Sequence, residues 1–443
     1  MSALEQITMN AGYQRPEVRV PPPGPAARVW AERAINVNAP MGPGLGRLRP
    51  SLVYARGFGA NVFDPDGNRF VDLAAGFGAQ LLGHCHPELT QVITEQAATL
   101  THALGDVYPC AEKIELQERL AQLPGTGAYR VILGQSGADA VTAALKTALL
   151  ATGRAGVVTF SGAYHGLGYA PLALCQLRES YRKPFTSQLN PQVHTLPYPT
   201  THEAAEQTLS MLDELLVHET IGAVIVEPIL GRGGCLAPPD DFLRRLVELC
   251  RDRGAISICD EILTGLGRSG AWLRGNAQGA EPDVICLAKG LGGGLPLSAC
   301  IAKSEVMQSW AQPEEVVHTS TFAGTPLVAA AGLRMLDVLQ RDGLVDSCAK
   351  RGEQWMQRLR LAVQGLPLVR AIRGSGFLIG IDVGPSAGKA GLVCQRLLAK
   401  GWIASTGGGT REVVVLTPPL TITDELLDAA TLALQEALHE VQQ

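Results

Sequence analysis

Short runs of apolar, β-branched residues alternate along this chain with longer stretches in which apolar positions recur every three or four residues. Between residues 86 and 325 the short runs fall near 130–133, 156–160, 222–227, 255–259, 283–287 and 297–302, with helical periodicity between several of them. Such alternation predicts a mainly parallel sheet covered by helices on both faces. Upstream, Ala60-Asn61-Val62-Phe63-Asp64 and Arg69-Phe70-Val71-Asp72-Leu73 flank Pro65-Asp66-Gly67-Asn68, the pattern of a β-hairpin centred on Asp-Gly. From Thr325 to Gln340 the pattern is helical. A long amphipathic helix, a strand at Gly376–Asp382, another helix and a final strand–helix pair follow, which predict a smaller α/β unit. The Pro- and Gly-rich stretches 21–25 and 40–44 predict an extended arm rather than a packed element. The expected organisation is an arm at 1–50, part of a small domain at 51–85, a large domain at 86–330, and the rest of the small domain at 331–443.

Composition narrows the class. With 443 residues, 46% of them hydrophobic and 18% charged, the chain can bury a sizeable core. The net charge is −5 and no basic cluster stands out, so nucleic acid is not an expected partner. No run approaches the roughly 20 apolar residues needed to cross a bilayer, so no membrane association is expected. The N-terminus lacks a signal-peptide pattern. Ten scattered cysteines without a CxxC pair fit free thiols in a reducing cytoplasm. His84-Cys85-His86 has no further Cys or His nearby to complete a metal site, so none is expected.

Candidate chemistry collects at strand ends. The run Ala255–Cys259 ends in Asp260-Glu261, and Asp283–Ala288 ends in Lys289, followed by Gly290-Leu291-Gly292-Gly293-Gly294. An acid and an amine at the carboxyl ends of parallel strands meet in one crevice. A buried lysine costs free energy unless it is paired or does chemistry. Lysine as a Schiff base and aspartate as partner of a pyridinium nitrogen are what pyridoxal phosphate requires, although a strand-end ion pair with no cofactor satisfies the same pattern. After Tyr129–Leu133, Gly134-Gln135-Ser136-Gly137-Ala138 opens a helix whose amides suit a phosphate or form an ordinary capped turn. Tyr164, in Ser161-Gly162-Ala163-Tyr164-His165-Gly166, can stack on a cofactor ring or fill the core. Glu227 ends another strand before the Gly-rich, flexible-looking Gly231-Arg232-Gly233-Gly234; it can orient a substrate or cap loop amides.

The ordered set Ser136-Gly137-Ala138, Tyr164-His165-Gly166, Glu227-Pro228, Asp260-Glu261, Lys289-Gly290 and Ser320-Thr321-Phe322 resembles the class III aminotransferases, pyridoxal phosphate enzymes of fold type I. The resemblance runs from about residue 55 to the C-terminus. It implies an α/β fold in which a mostly parallel seven-stranded sheet is sandwiched by helices and joined to a small α/β domain. It makes Lys289 the Schiff-base lysine and proton shuttle, and Asp260 the partner of the pyridine nitrogen. Gly137 and Ala138 bind the phosphate through their amides with Ser136 nearby, and Tyr164 stacks on the ring. His165 and Ile262 belong to the same cofactor-binding set. Thr321 resembles a threonine that reaches the phosphate of a neighbouring subunit, which implies a homodimer with composite sites. The reaction so implied moves an amino group from an amine or amino acid, of ω-amino type, to a keto acid.

Three departures bear on the substrate. Leu263 stands where many members carry Gln. Val415, three residues before Pro418-Pro419, stands where some carry a carboxylate-binding arginine. Leu167 follows Tyr-His-Gly where γ-aminobutyrate-type members often carry Arg. A bidentate arginine–carboxylate contact is among the strongest orienting interactions. Its loss means either a substrate without that carboxylate or a substitute such as Arg411, and it frees Glu227 to meet a substrate amine. The tracts Gly290–Ala299 and Leu416–Thr423 are also similar to the racemase branch of the family, including α-amino-ε-caprolactam racemase. A racemase or epimerase is therefore the alternative expectation.

Overall fold

The computed structural model describes residues 12–39, 52–218, 220–385 and 388–443. Its central sheet has seven strands: β1 Tyr129–Gly134, β2 Gly156–Phe160, β3 Val193–Leu196, β4 Ile221–Val226, β5 Ile256–Asp260, β6 Val284–Leu287 and β7 Ser298–Lys303. They lie in the order β1-β7-β6-β5-β4-β2-β3. All neighbouring pairs are parallel except those of β7, which runs antiparallel to both β1 and β6. Strands β2, β4 and β6 are buried throughout, as their unbroken apolar runs require when helices cover both faces. The edge strand β3, Val-His-Thr-Leu, was not among the apolar runs because its two central side chains are polar and exposed.

Helix Gly137–Thr152 shows how local sequence builds the site. Ser136 and Asp139 form a reciprocal capping box at its start, and Gly153 ends it at φ 68°. Its buried face is mostly alanine (Ala140, Ala143, Ala144, Ala148), which lets it lie close against Ile258, Val284, Cys286 and Cys300 of the sheet.

The expected hairpin is present, Asn61–Phe63 pairing antiparallel with Arg69–Asp72. Trp402–Ile403 joins it in parallel, so one small sheet is built from both ends of the chain. A second four-stranded sheet contains Ala371–Ser375, Leu378–Asp382, Val413–Leu416 and Ser405–Gly407. The strand expected from Gly376 starts instead at Leu378, because Gly376, at φ 56°, makes the turn of a hairpin. The expected N-terminal arm is also partly wrong in character. Pro25–Val37 is a helix with Pro25 in its first turn and Ala27 and Ala31 buried. The Asp66 carboxylate, from the hairpin turn, accepts the Ala26 and Ala27 amides at 2.7 and 2.8 Å and so caps that helix from 40 residues away. The stretch 40–44 lies outside the described residues. Among the described residues no helix is long and apolar enough to cross a membrane.

Candidate active site

The carboxyl ends of β1, β2, β4, β5 and β6 surround a cavity of about 520 Å³. Ser136, Gly137, Ala138, Tyr164, His165, Glu227, Asp260, Ile262 and Lys289 all line it. The sequence-derived set thus converges on one place, with Thr321 the exception. That residue is exposed and not part of the lining, its carbonyl 2.9 Å from His102 Nε2. Its neighbour Ser320 accepts from the side chain of Gln135, a cavity residue 185 positions away whose contact no local pattern reveals.

Lys289 opens a short turn after β6 with φ 43°, a left-handed backbone uncommon for a lysine. The following glycine is sterically required, since a Cβ on Gly290 would lie 2.2 Å from Leu81 Cδ1. Burial pulls the Lys289 amine below its ordinary value against the opposing pull of Asp260 and Glu227, while Arg232 and Arg268 add to the lowering. A larger share of neutral, nucleophilic amine at neutral pH results.

Asp260 ends β5. Its Oδ2 lies 2.7 Å from His165 Nδ1, and its Oδ1 accepts the Ile262 amide at 3.1 Å. Burial disfavours the imidazolium of His165, but the bond to Asp260 and the charges of Asp260 and Glu227 outweigh it and raise the pKa. The other ring nitrogen, Nε2, is buried without a partner among the described residues. In the turn before helix Gly137–Thr152, Ser136 Oγ accepts the Asp139 amide, and Asp139 accepts the amides of Gln135 and Ser136. The amides of Gly137 and Ala138 have no acceptor among the described residues and stand at the positive end of a 16-residue helix. A Cβ on Gly137 would come within 2.9 Å of Ile262 Cδ1, so any larger residue on this floor would have to move Ile262.

Glu227 is not free to meet a substrate amine. Its two carboxylate oxygens accept the Tyr164 amide at 2.8 Å and the Gly231 amide at 3.1 Å, the loop-capping alternative. Burial pushes its pKa up to about 7. Burial also raises the Tyr164 phenol, which stays protonated at neutral pH. The loop 231–234 is pinned rather than flexible: Gly408 N donates to Arg232 O at 2.8 Å, and Arg373 Nε donates to Gly234 O at 2.7 Å. Arg232, read from sequence only as part of that loop, lines the cavity with its guanidinium 4.6 Å from the Tyr164 ring. Of the departures, Leu263 and Leu167 line the cavity, and Val415 packs with Ile229, Cys235 and Leu378 in an apolar cluster. Arg411, the expected substitute cation, is exposed on a turn and absent from the lining.

Glu261, beside this site, is buried and accepts Gly275 N at 2.7 Å and the Thr264 hydroxyl. Burial raises its carboxyl from 4.5 to about 7. Between those values the folded chain holds a proton that the unfolded chain has released, so stability falls as pH rises through the window. Glu261→Gln removes that titration. Its stability relative to wild type is expected to rise by up to about 3 kcal/mol between pH ~4.5 and ~7, measured by urea unfolding across that range. A difference that does not change with pH would show that Glu261 does not take up the proton.

The pieces match one cofactor: an amine for an aldehyde, a histidine-anchored acid for a pyridine nitrogen, and two unpartnered amides at a helix N-terminus for a phosphate. The fold and this cavity define a pyridoxal phosphate enzyme of fold type I. The family described as aminotransferase class-III matches residues 46–438. An acetylornithine aminotransferase of Archaeoglobus fulgidus is 35% identical over 86% of this chain and 94% of its own length. An alanine/serine racemase of Pyrococcus horikoshii is 29% identical over 99% of this chain and 95% of its own. The crystal structure of an amine transaminase from an uncultivated Pseudomonas species, in its PLP-bound internal aldimine form, superposes with a TM-score of 0.83 at 28% identity. It covers 91% of this chain and 98% of that one. The chain belongs to the class III aminotransferases, and its cofactor is pyridoxal phosphate.

Proposed function

We propose that this enzyme transfers an amino group from an amine or amino acid, of ω-amino type, to a keto acid. Pyridoxal phosphate, when bound, supplies an electrophilic aldehyde and an electron-withdrawing ring. In this reading Lys289 Nζ would hold the cofactor's aldehyde carbon until the substrate amine displaces it, and the amine so freed would take the proton from the substrate carbon bearing the nitrogen. Asp260 keeps a proton on the ring nitrogen, and His165 fixes that carboxylate. Gly137 and Ala138 donate their amides to the phosphate, and Tyr164 and Ile262 enclose the ring.

The observation that carries transfer over racemisation is the scarcity of free bases. Lys289 is the cavity's one uncommitted amine; Glu227 is spent on two amides, His165 on Asp260, and the Tyr164 phenol is held protonated. Inverting a carbon often takes a second acid–base group on the opposite face. The Tyr164 phenol can give a proton there but holds it too tightly at neutral pH to act as the base of the reverse direction, and Glu227 and His165 are already committed. Racemisation is kept as the second reading, because the Pyrococcus racemase aligns with nearly the whole chain. Two copies acting together complete the proposal. Leu104, Val107, Tyr108 and Phe322 form exposed apolar surface beside Thr321, and a second subunit covering it brings Thr321 to the neighbouring phosphate. A cytoplasmic enzyme fits the ten unpaired thiols.

The deciding experiment is single-turnover absorbance of the PLP-loaded protein with diamines, ω-amino acids, α-amino acids and aminolactams, and no keto acid. Loss of the cofactor band with one equivalent of carbonyl product is the expected result and names the donor. A persistent band, with solvent deuterium entering the recovered substrate, means racemase instead.

A further inference from the structure

The cavity holds one charge that the proposed chemistry leaves unused. Arg232 sits half-buried in the lining, stacked 4.6 Å from the Tyr164 ring centroid and 5.9 Å from that of Phe77. It enters no ion pair among the described residues, and the cavity's acids are engaged elsewhere, Asp260 with His165 and Glu227 with two amides. The other cations around this loop are spent. Arg373 pairs with Asp382 at 2.9 Å, and Arg178 donates to the carbonyls of Gly408 and Gly409 at 2.7 Å.

The backbone beneath Arg232 is held on two sides. Its carbonyl accepts the Gly408 amide at 2.8 Å, and the preceding Gly231 amide is bound by Glu227 at 3.1 Å. A side chain at Gly231 would push Leu263 aside, because a Cβ there would fall 2.1 Å from Leu263 Cδ2. The strand that carries an arginine in some relatives presents Val415 instead. Val415 Cγ2 and the Arg232 carbonyl oxygen both flank the spot a Cβ on Gly407 would occupy, at 2.8 and 3.2 Å. A cation absent from the strand is thus supplied by the loop beside it. Aromatic stacking holds the guanidinium in place and leaves its planar edge for an anion.

We propose that Arg232 is the carboxylate anchor of the substrate pocket, so that the substrates are amino and keto acids rather than plain amines or aminolactams. The proposal rests on the aminotransferase reading for the reaction at Lys289, but it concerns recognition and is tested by binding. The probes are valerate and its uncharged analogue pentanamide, titrated calorimetrically into PLP-loaded wild type, Arg232→Gln and Arg232→Lys. Wild type is expected to bind valerate at least tenfold more tightly than pentanamide. Arg232→Gln is expected to lose roughly 10- to 100-fold in valerate affinity with little change for pentanamide. Arg232→Lys, which keeps the charge but not the fork, should fall between them. Retention of the cofactor band in each variant shows that the fold is intact. Equal valerate affinity in wild type and Arg232→Gln overturns the anchor, as does a wild type that does not distinguish the two probes. Failure of the family reading looks different: wild type that takes up no PLP, or reacts with no donor, whatever residue 232 is.

Discussion

Lys289→Ala is expected to lower turnover by at least ~10⁴-fold, because one nitrogen performs two jobs. In the proposed mechanism it carries the cofactor and it moves the proton, and general acid–base catalysis alone contributes about 10²–10⁴. No other cavity group stands ready to replace it: the remaining cation, Arg232, cannot give up a proton, and Glu227 is bound to two amides. The cofactor should still bind, through the Gly137 and Ala138 amides and Asp260, but with its aldehyde free. Absorbance then distinguishes a loaded, inactive protein from an empty one. A small primary amine added to the variant should restore part of the rate by entering the space the side chain leaves. Turnover within tenfold of wild type would remove Lys289 from the centre of the reaction.

Asp260→Asn should lower kcat by about 10²–10³-fold, the range seen when one preorganised electrostatic contact is lost. The substitution keeps the shape at the end of β5 and an acceptor for the Ile262 amide, but removes the charge that keeps a ring nitrogen protonated. A second readout separates this from a packing defect. His165 owes its raised pKa to Asp260, against the effect of burial, so its titration followed by NMR should move downward in the variant. Near-normal kcat with an unmoved His165 would place the essential acid elsewhere.

The sequence made the catalytic edge of the sheet readable because its signals are local. Buried strands are unbroken apolar runs, and the residue that ends each run stands at the rim; Asp260, Glu227 and Lys289 follow from this alone. What escaped was fixed by distant partners. Helix Pro25–Val37 hid behind a proline run, and Asp66, which caps it, lies in another element. The polar edge strand β3 buries too little to show the pattern. Arg232 looked mobile among its glycines because Gly408 and Glu227, which hold its loop, are invisible to a local reading. For Glu227 the sequence leaves substrate and loop amides open as partners, since a carboxylate at a strand end looks the same whichever it faces, and the structure shows the loop amides.

Because β7 runs antiparallel to β6, the chain must reverse within the few residues after Lys289, and Leu287 and Ala299 are already paired across the two strands. The lysine therefore sits in a short loop whose closure entropy has been spent by the sheet itself. Lys289 is therefore expected to keep nearly the same place whether or not anything is attached to its amine. Loading and release of the cofactor should then proceed as local exchanges at the rim that leave the pairing of β6 and β7 unchanged.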